Sequence, residues 1–124
     1  MSKLYIIGET NCRGHVSRIK FSVEVDKVIA DLNAAKLVLN NDEELDKLFD
    51  DIGDEYGFDE SHAIYTLIQN DYVGVSNEEY INDNIRKIEN NESIQAETEE
   101  SIYAFANSKE KALLAFSNID ESDW

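Results

Sequence analysis

The sequence predicts an α+β fold: a small N-terminal antiparallel sheet with one helix, followed by a mostly helical acidic part. Three observations predict it. Residues 16–25 alternate apolar and polar, the period of a half-buried strand. From residue 42 onward apolar residues recur at i, i+3, i+4 and i+7, the period of a helix with one buried stripe. Charge divides at nearly the same place: residues 1–36 carry six bases and four acids, whereas residues 37–124 carry five bases and 23 acids. Residues 1–40 therefore read as a hairpin-and-helix subdomain and residues 41–124 as the acidic helical part, the two forming one compact unit. A 42% hydrophobic content is enough for a core despite a net charge of −16.

In order, Leu4 to Thr10 reads as a strand and Asn11-Cys12-Arg13-Gly14 as a turn. In the strand Val16–Val25, Ile19, Phe21, Val23 and Val25 face one way. Arg18, Lys20, Ser22 and Glu24 face the other, so the hairpin has a basic outer side. Asp26 is positioned to cap a helix to about Ala35, with Val28, Ile29 and Leu32 inward. Lys36–Leu39 reads as the last turn of that helix or, by preference, as a short third strand. Asp42 then opens the acidic helix, which Gly53 and Gly57 break after Ile52. Asp59 or Ser61 caps the next helix, which buries Ala63, Ile64, Leu67 and Ile68. Residues 71–75 read as a loop or short strand. Ser76-Asn77-Glu78-Glu79 has the form of a capping box opening a helix with Tyr80, Ile81, Ile85 and Ile88. Residues 90–93 form a linker. Residues 97–116 read as helical, with a break near Asn107-Ser108.

The stretch Asp42–Glu60 holds ten of the 27 acids and one base, Lys47. Leu45, Leu48, Phe49 and Ile52 give it an apolar stripe, so the acids stand on a folded helix. Like charges at i,i+4, as in Asp42, Asp46 and Asp50, cost a few tenths of a kcal/mol each. A solvated acidic face is the ordinary explanation of such a run. The alternative is an imitation of DNA phosphates. At ~1.5 Å rise per residue, seven acids lie in about 18 Å of helix; duplex DNA carries about ten charges in that length. The candidate partner-binding residues are Asp42, Glu43, Asp46, Asp50, Asp51, Asp54 and Glu55, with Glu78, Glu79 and Asp83 as a second patch.

Other chemistries find less support. Cys12 and His15 stand three apart beside a glycine turn, but no third group orients them for nucleophilic catalysis. The only other histidine is His62, too few ligands for zinc. Calcium loops starting at Asp50 or Asp54 place Ile52, Glu55, Tyr56 and Asp59 where ligands and glycine are needed. Gly8–Gly14 lacks the spacing and the Lys of a phosphate loop. No catalytic residue, metal or cofactor is assigned, and the chain reads as a non-enzyme. A pI near 4.2 argues against nucleic acid or an anionic membrane as direct ligand and for a basic partner. One cysteine, no signal-type leader and no long apolar run place the chain in the cytoplasm of a host cell. Arg13, Arg18 and Lys20 are best read as cations paired with carboxylates of the same or a second subunit. Trp124 and the alternating hairpin edge make a homodimer an expectation.

The opening Tyr5-Ile6, the Asn11–Gly14 turn, the strand through Phe21 and Glu44-Leu45-Asp46-Lys47-Leu48-Phe49 form a familiar layout. With the helix after Asp59 and Ser76-x-Glu78-Glu79, it resembles the ArdA-type antirestriction proteins of phages and mobile elements over residues 4–90. That resemblance implies an elongated acidic DNA mimic that occupies a restriction-modification enzyme. The expected function is inhibition of a basic DNA-binding defence protein, of restriction-modification or CRISPR type, by stoichiometric contact. The rival expectation is a defence inhibitor that does not imitate DNA. It would act on CRISPR or another defence protein through a shaped patch, or sequester a small molecule at Arg13, His15, Arg18 and Lys20.

Overall fold

The computed structural model describes residues 2–12, 14–69, 78–98 and 101–123; the side chains of residues 12, 15, 58, 59 and 118–123 lie outside that description. Four antiparallel strands make one sheet: β1 (Lys3–Cys12), β2 (His15–Glu24), β3 (Ile94–Glu97) and β4 (Ser101–Ala106), in the order β2-β1-β4-β3. The helices are α1 (Val25–Leu37), α2 (Asp42–Tyr56), α3 (Phe58–Ile68), α4 (Glu78–Glu89) and α5 (Lys109–Asp123).

Both faces of the sheet are covered. Leu4, Ile6, Ile94, Ala96, Tyr103 and Phe105 point to the side where α1–α4 pack. Ile7, Ile102, Ala104 and Ala106 point to the other side, against Ala112, Ala115 and Phe116 of α5. Gly8 permits one close approach, because a Cβ there would sit 2.4 Å from the ring of Tyr103.

The α+β class stands, but the sheet is larger than residues 1–40 suggest. The expected helix over 97–116 is a strand, a break at Asn107-Ser108 and then a helix. β4 is buried on both faces along its whole length, so Ser101–Ala106 shows no polar alternation. A short apolar run of that kind does not distinguish strand from helix by period. Lys36–Leu39 is not a strand. Lys36 and Leu37 are the last turn of α1, and Val38 N–H donates to the Ala35 carbonyl at 3.1 Å. Ala34, Ala35, Lys36 and Leu37 are all good helix formers.

At the hairpin β1 runs two residues further than expected and β2 begins one residue earlier. Asn11 faces Val16 and Cys12 faces His15, and Gly14, just before β2, has φ +80°. Glu24, not Asp26, is the N-cap of α1. α2 continues through Gly53 to Tyr56. Gly53 lies against the Tyr65 hydroxyl, which donates to the Phe49 carbonyl at 2.6 Å and ties α3 to α2. The break falls at Gly57, where φ is +99°; Gly57 closes α2 and opens α3, so Ser61 lies inside α3. The 71–75 loop, Ser76 of the capping box, the Cys12 and His15 side chains and Trp124 fall outside the described residues.

Candidate functional site

α2 is held by one fully buried residue, Ile52, and by half-buried Leu48 and Phe49, which pack on the main core. Its N-cap is Asn41, whose Oδ1 accepts from Glu44 N–H at 3.2 Å. Asp42, Glu43 and Glu44 fill the first turn, where the helix dipole favours negative charge. The last turn holds no base, so Asp54 and Glu55 stand where that dipole disfavours them.

With ~100° of rotation per residue, Asp42, Glu43, Asp46, Asp50, Asp51 and Asp54 fall within an arc of about 180° opposite the stripe. All six are exposed, and among the described residues none of them has an ion-pair partner. They amount to about one charge per 3 Å of helix, close to the ~3.4 Å between phosphates of one DNA strand. Lys47 lies inside the arc and is 3.9 Å from Glu44, which flanks it.

Glu55 belongs to a different structure. It turns toward α1 and pairs with Lys27. That hydrogen bond raises the Lys27 ammonium above its ordinary value. Beside it, the Tyr56 hydroxyl donates to Asp31 Oδ2 at 2.8 Å. Burial pushes the Asp31 carboxyl up, against the opposing pull of that hydrogen bond. Burial and the neighbouring carboxylate also push the Tyr56 phenol up. This Lys27–Asp31–Glu55–Tyr56 cluster locks α2 to α1. Sequence reasoning missed Asp31 and Tyr56, although Lys27 and Asp31 are four apart on α1 and so share a helix face.

The second patch is not equivalent to the first. Glu78 and Glu79 are exposed in the first turn of α4. Asp83 pairs with Arg86 and lies 3.5 Å from Lys87. The Arg86 hydrogen bond holds its carboxyl below the usual range. α2 and α4 each pack on α1 and α3 but share no packed interface. The structure therefore brings six of the ten candidates together on α2 and leaves the rest apart.

On the hairpin, Arg18 is committed within the chain. It donates to Glu9 Oε1 at 3.1 Å and lies 5.2 Å from the centre of the Phe116 ring. Glu9 is buried, and Arg18 supplies its counter-charge. Among the described residues no group of three or more His, Cys, Asp and Glu side chains is arranged to hold a metal ion, and no helix is long and apolar enough to cross a membrane. No protein-family model, curated protein or solved structure matches the chain.

Proposed function

We propose that the chain is a non-enzymatic inhibitor that acts as an acidic DNA mimic. α2 occupies the DNA-binding channel of a host defence nuclease of the restriction-modification or CRISPR type, in the cytoplasm, by stoichiometric contact. One observation carries this reading. Among the described residues, six exposed carboxylates on one face of α2 have no ion-pair partner, although the chain pairs Glu9, Glu55 and Asp83 elsewhere. Repulsion at i,i+4 and an acid at the wrong end of the helix dipole both cost stability. Local conflicts of that kind are expected where function demands them.

The mechanism is competition. Basic channels draw much of their DNA affinity from phosphate contacts, with a steep salt dependence. A rigid carboxylate array makes the same contacts and associates fast through long-range attraction. The sequestration alternative is less well supported, because Arg18, a central cation of that site, is already engaged by Glu9 and Phe116.

The test is capture from bacterial lysate at low salt on immobilised protein, with elution by double-stranded DNA and identification by mass spectrometry. The expected result is release of a DNA-binding protein by DNA. A partner that stays bound under excess DNA would reject mimicry.

A further inference from the structure

Of the two edge strands, β3 is four residues long and β2 is ten. Edge strands present unpaired backbone donors and acceptors, and long uncovered ones are sites of strand addition. β2 pairs with β1 alone. Its register fixes which backbone groups are free. Val25 N–H donates to the Ser2 carbonyl at 3.1 Å, and in an antiparallel pair bonded residues alternate with unbonded ones. Odd-numbered residues of β2 therefore bond to β1, whereas Arg18, Lys20 and Ser22 direct N–H and C=O outward and Glu24 its N–H, its C=O being taken by the first turn of α1. Among the described residues these outward groups have no backbone partner. Ile19, Phe21 and Val23 remain half-exposed along the same edge.

We propose that β2 pairs with β2 of a second copy of this chain, antiparallel about a twofold axis at Phe21, to make one continuous eight-stranded sheet. Only registers that match even-numbered residues with even-numbered ones satisfy the outward groups. An axis at Lys20 sets Lys20 against its own copy, and like charges directly opposite are destabilising. An axis at Ser22 shortens the strand overlap. With the axis at Phe21, Arg18 faces Glu24 of the other copy, Lys20 faces Ser22, Ile19 faces Val23 and Phe21 faces itself. The strand is thus self-complementary in charge on one face and apolar on the other.

Charge also selects the occupant. β2 carries Lys20, Glu24 and Arg18, whose charge is offset by buried Glu9 on β1, so this edge is close to neutral on a chain of net charge −16. A second copy therefore meets there the least acidic part of itself. The β3 edge carries Glu97, with Glu92 close by in sequence, so a second copy is disfavoured at that edge. This inference does not depend on what α2 binds.

The experiment is sedimentation equilibrium on the full chain over a range of concentrations, with far-UV circular dichroism to check folding. The wild type is expected at twice the chain mass. Ser22→Pro removes an outward ladder donor without touching the β1 pairing and is expected to weaken dimerisation ~10-fold or more. Glu24→Lys sets a cation against Arg18 of the other copy and is expected to weaken it as well. General repulsion between copies would be relieved by that change, so weakening identifies the cross-strand pair. A wild type at single-chain mass throughout would overturn the proposal. So would a dimer that Glu24→Lys strengthens or leaves unchanged, which would place the contact elsewhere, such as at exposed Leu113 and Leu114.

Discussion

The two acidic helices, α2 and α4, teach by their difference. α2 carries eight acids and one base, and six of its acids face solvent without an ion-pair partner among the described residues. α4 carries four acids and two bases, and both bases converge on Asp83. α4 has the ordinary arrangement of a surface helix, with acids in its first turn and bases in its last. α2 begins the same way but omits the closing bases. Composition alone makes both helices look acidic; among the described residues, it is α2 that presents an array of six carboxylates without ion-pair partners.

The largest expected effect separates the helices directly. Asp42, Asp46, Asp50 and Asp54 changed together to Asn should reduce binding to the captured DNA-binding protein at least ~100-fold, since phosphate-like contacts dominate such affinities. Glu78→Gln, Glu79→Gln and Asp83→Asn together should change it only a few-fold. Any one of the α2 changes alone should be nearly silent. Titration of binding by fluorescence anisotropy checks all three; loss from a single change would reject a distributed array.

The scaffold beneath the array is tested by Ile52→Ala. Ile52 is 1% exposed in the core, so a loss of about 2–5 kcal/mol is expected in urea unfolding. The same change at half-buried Leu45 should cost less.

The α1–α2 lock comes next. Tyr56→Phe leaves Asp31 without its donor and should cost about 1 kcal/mol. Asp31→Asn keeps an acceptor for Tyr56 and removes a half-buried charge. Because the folded-state pKa of Asp31 is raised, its ionisation opposes folding at neutral pH. That penalty disappears as pH falls through the folded pKa toward the unfolded value. The wild type should therefore gain on Asp31→Asn as pH is lowered, and unfolding curves at several pH values read the difference.

The smallest effects come from moving single cations. Lys47→Glu should tighten partner binding modestly at low salt. Arg86→Gln with Lys87→Gln should make α4 more like α2 and add weak partner binding, with little change in melting temperature.

Much of this was legible in the residues. The stripe Leu45, Leu48, Phe49, Ile52 specifies α2 and turns its acids outward. The alternation from Ile19 to Val25 specifies β2. β4 was not legible, because a strand covered on both sides by α5 and the other helices loses the alternation that marks a strand. Nor were the pairs on Glu55 and Asp83. Lys27 reaches Glu55 across 28 residues of sequence, a contact set by how α1 packs on α2. Arg86 and Lys87 are local, one helical turn from Asp83, and their spacing carried a signal that a count of acids passes over.

The most direct test is the salt dependence of binding between this chain and the protein captured from lysate, measured for the wild type and for the four-Asn variant of α2. If α2 stands in for DNA, the wild type should show a steep negative slope of log affinity against log salt, the variant should lose most of that slope, and double-stranded DNA should compete with the wild type. Equal slopes for the two proteins, or binding indifferent to DNA, would contradict the account.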